Sequence, residues 1–155
     1  MTTIAYRDGV IASDSRMTTG RGYVLSDTIQ KLYKLSDGAV LGLGGHNHNG
    51  LVLLDHIKAA IKNSKKADVE KNLPSVKCKG VEALLVTPSK DIYVYDAGVW
   101  DILSDVFDED YYALGSGSYQ ACAAMDQGAD AVTAVKQGIR RDMHSGGRVQ
   151  RYKVF

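Results

Sequence analysis

The stretch TTIAYRDGVIASDSR, residues 2–16, alternates apolar and polar side chains on both sides of Asp8-Gly9. Such alternation is typical of half-buried strands, and Asp-Gly supplies the positive φ angles of a two-residue hairpin turn. We therefore predict a β-hairpin at the start of the chain. Thr2 and Thr3 directly follow Met1. Because the Thr2 hydroxyl has no helix or turn to cap, the terminus itself becomes a candidate for chemistry.

The next segments predict a second hairpin followed by a helix. YVLSDTIQKLYKLSDGAVLGLGG, residues 23–45, repeats the strand pattern around Asp37-Gly38 and ends in glycines. From Gly50 onward the apolar residues recur at helical spacing opposite a basic face. The helical positions are Leu51, Leu54, Ile57 and Ile61. The polar segment ADVEKNLPSVKCKG, residues 67–80, is interpreted as a short helix or loop.

The second half of the chain predicts further strands and two helices. A hairpin turns at Ser89-Lys90, and YYALGSGS, residues 111–118, is a strand that ends in glycine and serine. Gly128 divides two helices, the second with Val132, Val135 and Ile139 facing inward, and RVQRYKVF at residues 148–155 is the last strand. Antiparallel hairpins interleaved with helices predict an α+β fold, with two stacked sheets between helix layers. The length suits one domain over residues 1–155.

Composition narrows the function classes. Nineteen basic and eighteen acidic residues leave a net charge of +1, which predicts neither a nucleic-acid partner nor attraction to an anionic membrane. The longest apolar runs are far shorter than the roughly 20 residues of a membrane span, and no leader precedes the hairpin, so a cytoplasmic location is expected. Cys78 and Cys122 lie far apart without metal-ligand spacing. Both are therefore expected to be reduced thiols.

The glycine-rich stretch GLGGHNHNG, residues 42–50, has neither the dinucleotide-binding spacing nor a phosphate loop's Lys-Ser or Lys-Thr. His46 and His48 could ligate a metal or cap the following helix, and capping or solvent exposure is favoured because there is no clear third ligand. His56 and His144 complete no serine or cysteine triad. No cofactor and no metal site are predicted.

Polar residues follow several of the predicted strands, where loops hold chemistry on rigid supports. They are Thr2, Asp14, Lys31, Ser116, Asp142 and Ser145, with Gly44 and Gly45 between them. Five motifs that contain these residues resemble, in order, those of proteasome β-type subunits, which are T1 peptidases of the N-terminal nucleophile hydrolase superfamily. The motifs are TTIAYRDGVIASDSRMTTG, SDTIQKLYKL, GLGG, LGSGSYQACAAMDQG and RRDMHSGGRVQRYKV. The resemblance runs from Thr2 to about Val154 and implies a four-layer αββα sandwich.

The resemblance also implies the catalytic roles. Once Met1 is removed, Thr2 would carry both the hydroxyl nucleophile and a free α-amine, whose pKa of about 7.7–8.0 suits it as the base, acting through a bridging water. Lys31 corresponds to the family lysine beside the nucleophile, and Asp14 to its partner. From the residues alone, Asp14 could instead be a turn acid and Lys31 a solvated lysine.

Four further residues receive roles by the same resemblance. Ser116, Asp142 and Ser145 correspond to the cluster that orients the terminal amine, with helix capping as the alternative. The Gly44 N–H corresponds to the family's oxyanion donor; an ordinary loop glycine is the alternative. The substrate would lie extended along a sheet edge, with its side chain in a pocket that Gly42 makes roomy. The implied pocket residues are Met17, Thr18, Ile29, Tyr33, Gly42, His46 and Gly50.

The implied function is that of a threonine endopeptidase which degrades unfolded polypeptides inside a homo-oligomeric ring, fed by a separate ATP-dependent unfoldase. The alternatives are a catalytically silent, ring-forming scaffold subunit and a small-amide hydrolase of the same superfamily. The segment between Leu51 and Val81 is short for the family, so the second helix of the first layer is expected to be truncated. The motifs at Asp14, Asp142 and Ser145 predict greater similarity to the proteasomal type than to the bacterial two-component relative.

Overall fold

In a computed structural model, residues 2–62, 73–74, 76–104 and 109–155 are described. In these residues the order is strands, one helix, strands, two helices and a last strand, as predicted. Their bounds are β1 Ile4–Arg7, β2 Val10–Ser13, β3 Met17–Thr18, β4 Val24–Ser26, β5 Leu32–Lys34, β6 Val40–Gly45, α1 Asn47–Lys62, β7 Val81–Val86, β8 Ile92–Asp96, β9 Val99–Ile102, β10 Tyr111–Leu114, α2 Ser118–Asp126, α3 Ala131–Arg141 and β11 Gln150–Lys153.

The strands form antiparallel sheets. A four-stranded sheet has the order β10-β1-β2-β11, and a five-stranded sheet has the order β5-β6-β7-β8-β9. A third sheet contains only β3 and β4. Since β1 and β2 lie at the centre of the first sheet, the hairpin of residues 2–16 organises that half of the fold, and Ile4 pairs with Ser13 at its open end.

Alternation along the strands sorts the core into three clusters. In the five-stranded sheet, Leu41 and Leu85 face α1, whereas Val40 and Leu84 face the four-stranded sheet. In the four-stranded sheet, Ile11 faces the other sheet and alanines face α2 and α3. The chain therefore packs in the order helix, sheet, sheet and helix pair, which agrees with the predicted α+β sandwich.

The turns follow the predicted chemistry. Asp8 and Gly9 have φ angles of 51° and 79° between β1 and β2. Gly128, with a φ of 92°, lies between α2 and α3 as expected. A turn that the sequence analysis did not predict joins β8 to β9 at Ala97-Gly98, where both residues also have positive φ. Its consequence is a three-stranded meander, β7-β8-β9, in place of a single hairpin.

The first helix differs in detail from the prediction. It begins at Asn47 instead of Gly50, and Leu51 is 38% exposed whereas Leu53 is fully buried. Leu54, Ile57 and Ile61 are buried as predicted, so the buried stripe differs from the prediction only in having Leu53 in place of Leu51. Half of the segment 67–80, namely residues 67–72 and 75, and the predicted truncation of a second helix lie outside the described residues. In the part of the chain that is described, no helix is long and apolar enough to span a membrane.

Candidate active site

Three predicted site residues meet where the ends of the two large sheets come together. Thr2 lies two residues before β1, Asp14 directly follows β2, and Lys31 directly precedes β5 of the other sheet. Thr2 and Asp14 are fully buried, and Lys31 is only 6% exposed. The alternatives of a turn acid and a solvated lysine therefore do not describe these side chains.

The Thr2 hydroxyl lies between a cation and an anion. Lys31 Nζ donates to Thr2 Oγ1 at 2.5 Å and to Asp14 Oδ1 at 2.8 Å. Thr2 Oγ1 in turn donates to Asp14 Oδ1 at 2.7 Å. The N–H groups of Thr3, Arg16 and Gly146 complete the environment of the carboxylate, each 3.0 Å from one of its oxygens. The carboxylate is thus held by backbone donors from three segments.

Burial sets the electrostatics of Lys31. Desolvation lowers the pKa of the Lys31 ammonium, and the charge of Asp14 and its hydrogen bond offset part of that effect. Asp142 adds a weaker electrostatic contribution in the same direction as Asp14. The Lys31 ammonium therefore holds its proton less tightly than an ordinary lysine does. Its Nζ lies 2.5 Å from the Thr2 hydroxyl oxygen.

A second network reaches the Thr2 nitrogen. Thr2 N–H donates to Ser116 Oγ at 3.1 Å, and Ser116 Oγ donates to Asp142 Oδ2 at 2.6 Å. Ser145 Oγ donates to the same oxygen at 2.6 Å. Burial by itself raises the pKa of Asp142, but the hydrogen bonds from Ser116, Ser145 and the His144 N–H outweigh it and lower the pKa. Asp142 is therefore a carboxylate that orients two hydroxyls.

Of the three residues predicted to orient the amine, Ser116 alone contacts the Thr2 nitrogen directly. Ser145 instead contacts Thr3, whose Oγ1 lies 2.7 Å from Ser145 Oγ. The Ser145 proton is committed to Asp142, so Thr3 is the donor in that pair. Capping does not account for Ser116, because Gly117 is the N-cap of α2 and receives no side-chain cap. Thr3 was not among the predicted site residues, yet its hydroxyl contacts Ser145 and its N–H donates to Asp14.

Gly44 and Gly45 lie beside Thr2 at the end of β6. A Cβ at Gly44 would lie 2.6 Å from Thr2 Cγ2, so the absence of a side chain lets the two backbones approach. Along an antiparallel strand, successive N–H groups point to opposite neighbours. Leu43 N–H donates to the Lys31 carbonyl, so the N–H of Gly45 points to that same side, whereas the N–H of Gly44 points toward β7. Gly45, not Gly44, therefore has its N–H on the Lys31 side.

A cavity of about 410 Å³ opens beside Thr2 and Lys31. Six of the seven predicted pocket residues line it, namely Met17, Thr18, Ile29, Tyr33, His46 and Gly50. Gly42 does not line it. A Cβ at Gly42 would contact Ile4 and Leu32 at 3.2–3.3 Å, because this position faces the space between the two sheets. Its neighbour Leu43 lines the cavity instead, a position that the alternation of β6 could have indicated.

His46 caps the start of α1, whereas His48 lies exposed in its first turn. His46 Nδ1 accepts a hydrogen bond from the Asn49 N–H at 3.3 Å, as a capping side chain does. Within the described residues, no three His, Cys, Asp or Glu side chains are grouped closely enough to hold a metal ion.

The chain is similar to subunits of ATP-dependent proteases. The chain is 27% identical over 149 residues to the ATP-dependent protease subunit HslV of Desulfovibrio desulfuricans, covering 86% of this chain and 83% of that protein. It is 30% identical over 122 residues to the ATP-dependent protease subunit ClpQ of Bacillus subtilis, covering 74% and 66% respectively. The crystal structure of eukaryotic HslV from Trypanosoma brucei superposes with a TM-score of 0.75 at 16% identity, covering 97% of both chains. No family model matches the sequence.

The fold is that of the N-terminal nucleophile hydrolases, and within that class the chain belongs to the proteasome β-type family. It is accordingly a hydrolase of the threonine peptidase type. The predicted preference for the proteasomal type over the bacterial relative is not supported, because the relatives found are HslV and ClpQ subunits.

Proposed function

We propose that this protein is a threonine endopeptidase of unfolded polypeptides, with Thr2 as its nucleophile once Met1 has been removed. The observation that carries the proposal is the position of Lys31 Nζ, 2.5 Å from Thr2 Oγ1 and 2.8 Å from Asp14. A cation at that distance favours the deprotonated hydroxyl, and the buried carboxylate keeps the cation charged. A surface threonine would have neither partner.

In the proposed reaction, Thr2 Oγ1 attacks the carbonyl carbon of a peptide bond. The hydroxyl proton passes, through one water, to the free Thr2 amine, whose ordinary pKa of about 7.7–8.0 leaves much of it neutral near physiological pH. The tetrahedral intermediate expels the amine product, which takes up that proton, and an ester on Thr2 remains. Water then hydrolyses the ester, which releases the acid product and restores the hydroxyl.

The charge that develops on the carbonyl oxygen needs a donor in place beforehand, since loss of one such donor costs about 3–4 kcal/mol of barrier. We assign this role to the Gly45 N–H, because the alternation of β6 directs it to the Lys31 side of the strand, in place of the Gly44 N–H named from the sequence. Gly44 contributes by its lack of a side chain against Thr2.

The proposed substrate is an extended chain. The two-stranded sheet that contains Met17 and Thr18 lies at the cavity and offers backbone groups for pairing with a peptide. Met17, Ile29 and Leu43 give the cavity an apolar lining, which favours an apolar side chain next to the scissile bond. Arg16 and Lys31 line the cavity and no acidic side chain of the described residues does, so a basic side chain is disfavoured there.

Self-compartmentalisation completes the proposal. We infer that one domain, residues 1–155, assembles with identical copies into a ring in the cytoplasm, and that an ATP-driven unfoldase supplies the substrate. The relatives HslV and ClpQ are by name ATP-dependent protease subunits. The chain itself has no phosphate-loop motif, so ATP hydrolysis would belong to a separate partner.

The test is turnover of an unfolded fluorogenic protein by the Met1-free chain and by its Thr2→Ala and Thr2→Ser variants. Thr2→Ala should abolish cleavage while the unfolding midpoint changes little, and Thr2→Ser should retain part of the rate. A rate in Thr2→Ala equal to that of the wild type would reject the nucleophile. A wild type that assembles but cleaves nothing would favour the scaffold alternative, and cleavage of small amides alone would favour the amidase alternative.

A further inference from the structure

Lys31 lies at the end of a segment that has no regular structure. Residues 27–31 connect β4 to β5 and form neither helix nor strand. Their backbone N–H and C=O groups therefore have no regular row of strand hydrogen bonds. Buried backbone groups nevertheless need partners. One is provided by Ser15, whose carbonyl accepts from the Ile29 N–H at 3.0 Å. The Lys31 carbonyl accepts from the Leu43 N–H, the Thr28 N–H donates to Ser26 Oγ, and the Gln30 carbonyl accepts from the Tyr33 hydroxyl. One further side chain contacts the backbone at both ends of the stretch from Ile29 to Leu32.

That side chain is Gln150, the first residue of β11. Its Oε1 accepts from the Lys31 N–H at 3.0 Å and from the Leu32 N–H at 3.4 Å. Its Nε2 donates to the Ile29 carbonyl at 2.6 Å and to Ser15 Oγ at 3.0 Å. A carboxamide has two donors and an acceptor with two lone pairs, and all of them are used here. Neither a carboxylate nor a hydroxyl could make these four contacts.

Gln150 also connects the two halves of the charge centre. β11 belongs to the four-stranded sheet and pairs with β2 next to Asp14, since Gln150 lies opposite Ser13. Ser15, which receives the Gln150 amide, directly follows Asp14 and donates its own hydroxyl proton to the Arg148 carbonyl. The Gln150 side chain crosses from this sheet to the backbone that carries Lys31. The same carboxamide therefore fixes the Lys31 backbone relative to the Asp14 backbone.

We propose that Gln150 is a positioning residue that holds the Lys31 backbone, and through it the Lys31 ammonium, against Thr2 Oγ1. The inference rests on the proposed function only in taking Lys31 to act on Thr2. Gln150 touches neither the nucleophile nor the cavity beside it. Its effect passes through the Lys31 main chain, since a lysine side chain attached to a displaced backbone cannot keep contacts of 2.5 Å and 2.8 Å together.

The experiment uses Gln150→Met, which keeps length but has no hydrogen-bonding amide, and Gln150→Glu, which keeps the acceptors but loses both donors. Gln137→Met is the matched control, because Gln137 is half-buried on α3, on the far side of the four-stranded sheet. The first readout is the rate at which a peptide β-lactone acylates Thr2. This rate is measured by intact mass at a series of pH values. Both Gln150 variants should react about tenfold more slowly or worse near neutral pH, because misplacement of a catalytic group by an ångström is costly.

The second readout does not depend on activity. Lysine side-chain carbon shifts, followed by NMR titration in a Thr2→Ala background, report the Lys31 pKa directly. Asp14 and Asp142 are the charged groups that contribute to this pKa, alongside burial. In Gln150→Met the pKa should rise toward its ordinary value, because a loosened lysine regains water, and Gln137→Met should leave it unchanged.

Three results would overturn the proposal: acylation rates of both variants within about twofold of wild type, an unchanged Lys31 pKa, or a fall in rate that only follows lost stability. Failure of the proposed function would look different, because the wild type itself would then form no adduct at Thr2 while Lys31 still titrated abnormally. If Gln150→Met does not fold, the acylation rate of Gln150→Glu decides the question, because the carboxylate of that variant would itself raise the Lys31 pKa.

Discussion

Lys31 Nζ and Asp14 Oδ1 form a buried ion pair of 2.8 Å, with side-chain exposures of 8% and 0%. The two residues lie 17 positions apart and enter the site from different sheets, so the pair joins the ends of both sheets beneath Thr2. A buried pair is rarely a net source of stability, but breaking it leaves an uncompensated charge. This asymmetry makes the pair a sensitive test of the site.

Asp14→Asn should cost about 3 kcal/mol of unfolding free energy at neutral pH, because Lys31 would remain buried without a counter-charge. The Lys31 pKa would fall further, so the cost should diminish as the pH rises and the ammonium loses its proton in the folded state. Urea unfolding at several pH values measures this dependence. Asp27→Asn is the control, since Asp27 pairs with Arg16 at a 43%-exposed surface position and should matter less. Equal losses in both variants would contradict the account.

Turnover should have a bell-shaped pH dependence. The acid limb comes from protonation of the Thr2 amine, near its ordinary pKa of about 7.7–8.0. The alkaline limb comes from loss of the Lys31 proton, and it should fall below the ordinary lysine value of 10.5 because burial lowers that pKa. Lys31→Arg should remove the alkaline limb, even at a reduced rate, since a guanidinium keeps its charge. An unchanged alkaline limb in that variant would show that another group titrates there.

Replacement of Thr3 should lower both stability and kcat, because its hydroxyl belongs to the hydrogen-bond network of the site. Thr3→Val keeps the shape of the side chain but leaves Ser145 without its hydrogen-bond donor. For a buried partner this should cost about 1–3 kcal/mol of unfolding free energy. It should also lower kcat, because hydrogen bonds run from Thr3 through Ser145, Asp142 and Ser116 to the Thr2 nitrogen. Thr3→Ser should restore most of both. Stability and kcat are measured side by side, and a Thr3→Ser variant as impaired as Thr3→Val would point to packing instead.

Gly44→Ala should reduce acylation of Thr2 by about a hundredfold, because misplacing the nucleophile is expensive and the new Cβ would lie 2.6 Å from Thr2 Cγ2. Gly50→Ala is the matched change on the other side of the cavity, where the Cβ would meet Leu43 at an ordinary 3.6 Å. It should alter KM for peptides while leaving the β-lactone rate and the stability near wild type. Comparable acylation rates in the two variants would count against the assigned packing of Gly44.

The sequence carried local information well and long-range information poorly. The turns at Asp8-Gly9 and Gly128 could be predicted, because the tendency to adopt a positive φ depends on the residue type itself. Three of the four predicted stripe positions on α1 are buried, but Leu53 is buried in place of Leu51, because that choice depends on how the helix meets the sheet. The sequence around Gln150 and Thr3 does not indicate their contacts, because the partner residues lie more than 100 positions away.

The pocket and the oxyanion donor illustrate the same limit at single-residue resolution. Resemblance named Gly42 and Gly44, but strand alternation determines which side chains and which N–H groups face a site. Leu43 lines the cavity and Gly42 does not, and the alternation of β6 is the basis for proposing the Gly45 N–H in place of the Gly44 N–H. An error of one residue along a strand therefore exchanges the two faces.

The central claim is that Thr2 is a free, reactive N-terminal residue. Intact mass and peptide mapping of protein isolated from its own host, before and after treatment with a peptide epoxyketone, test it most directly. We expect loss of Met1 and one inhibitor adduct located on Thr2, abolished by Thr2→Ala. Native protein that retains Met1 and gains no adduct would contradict the account.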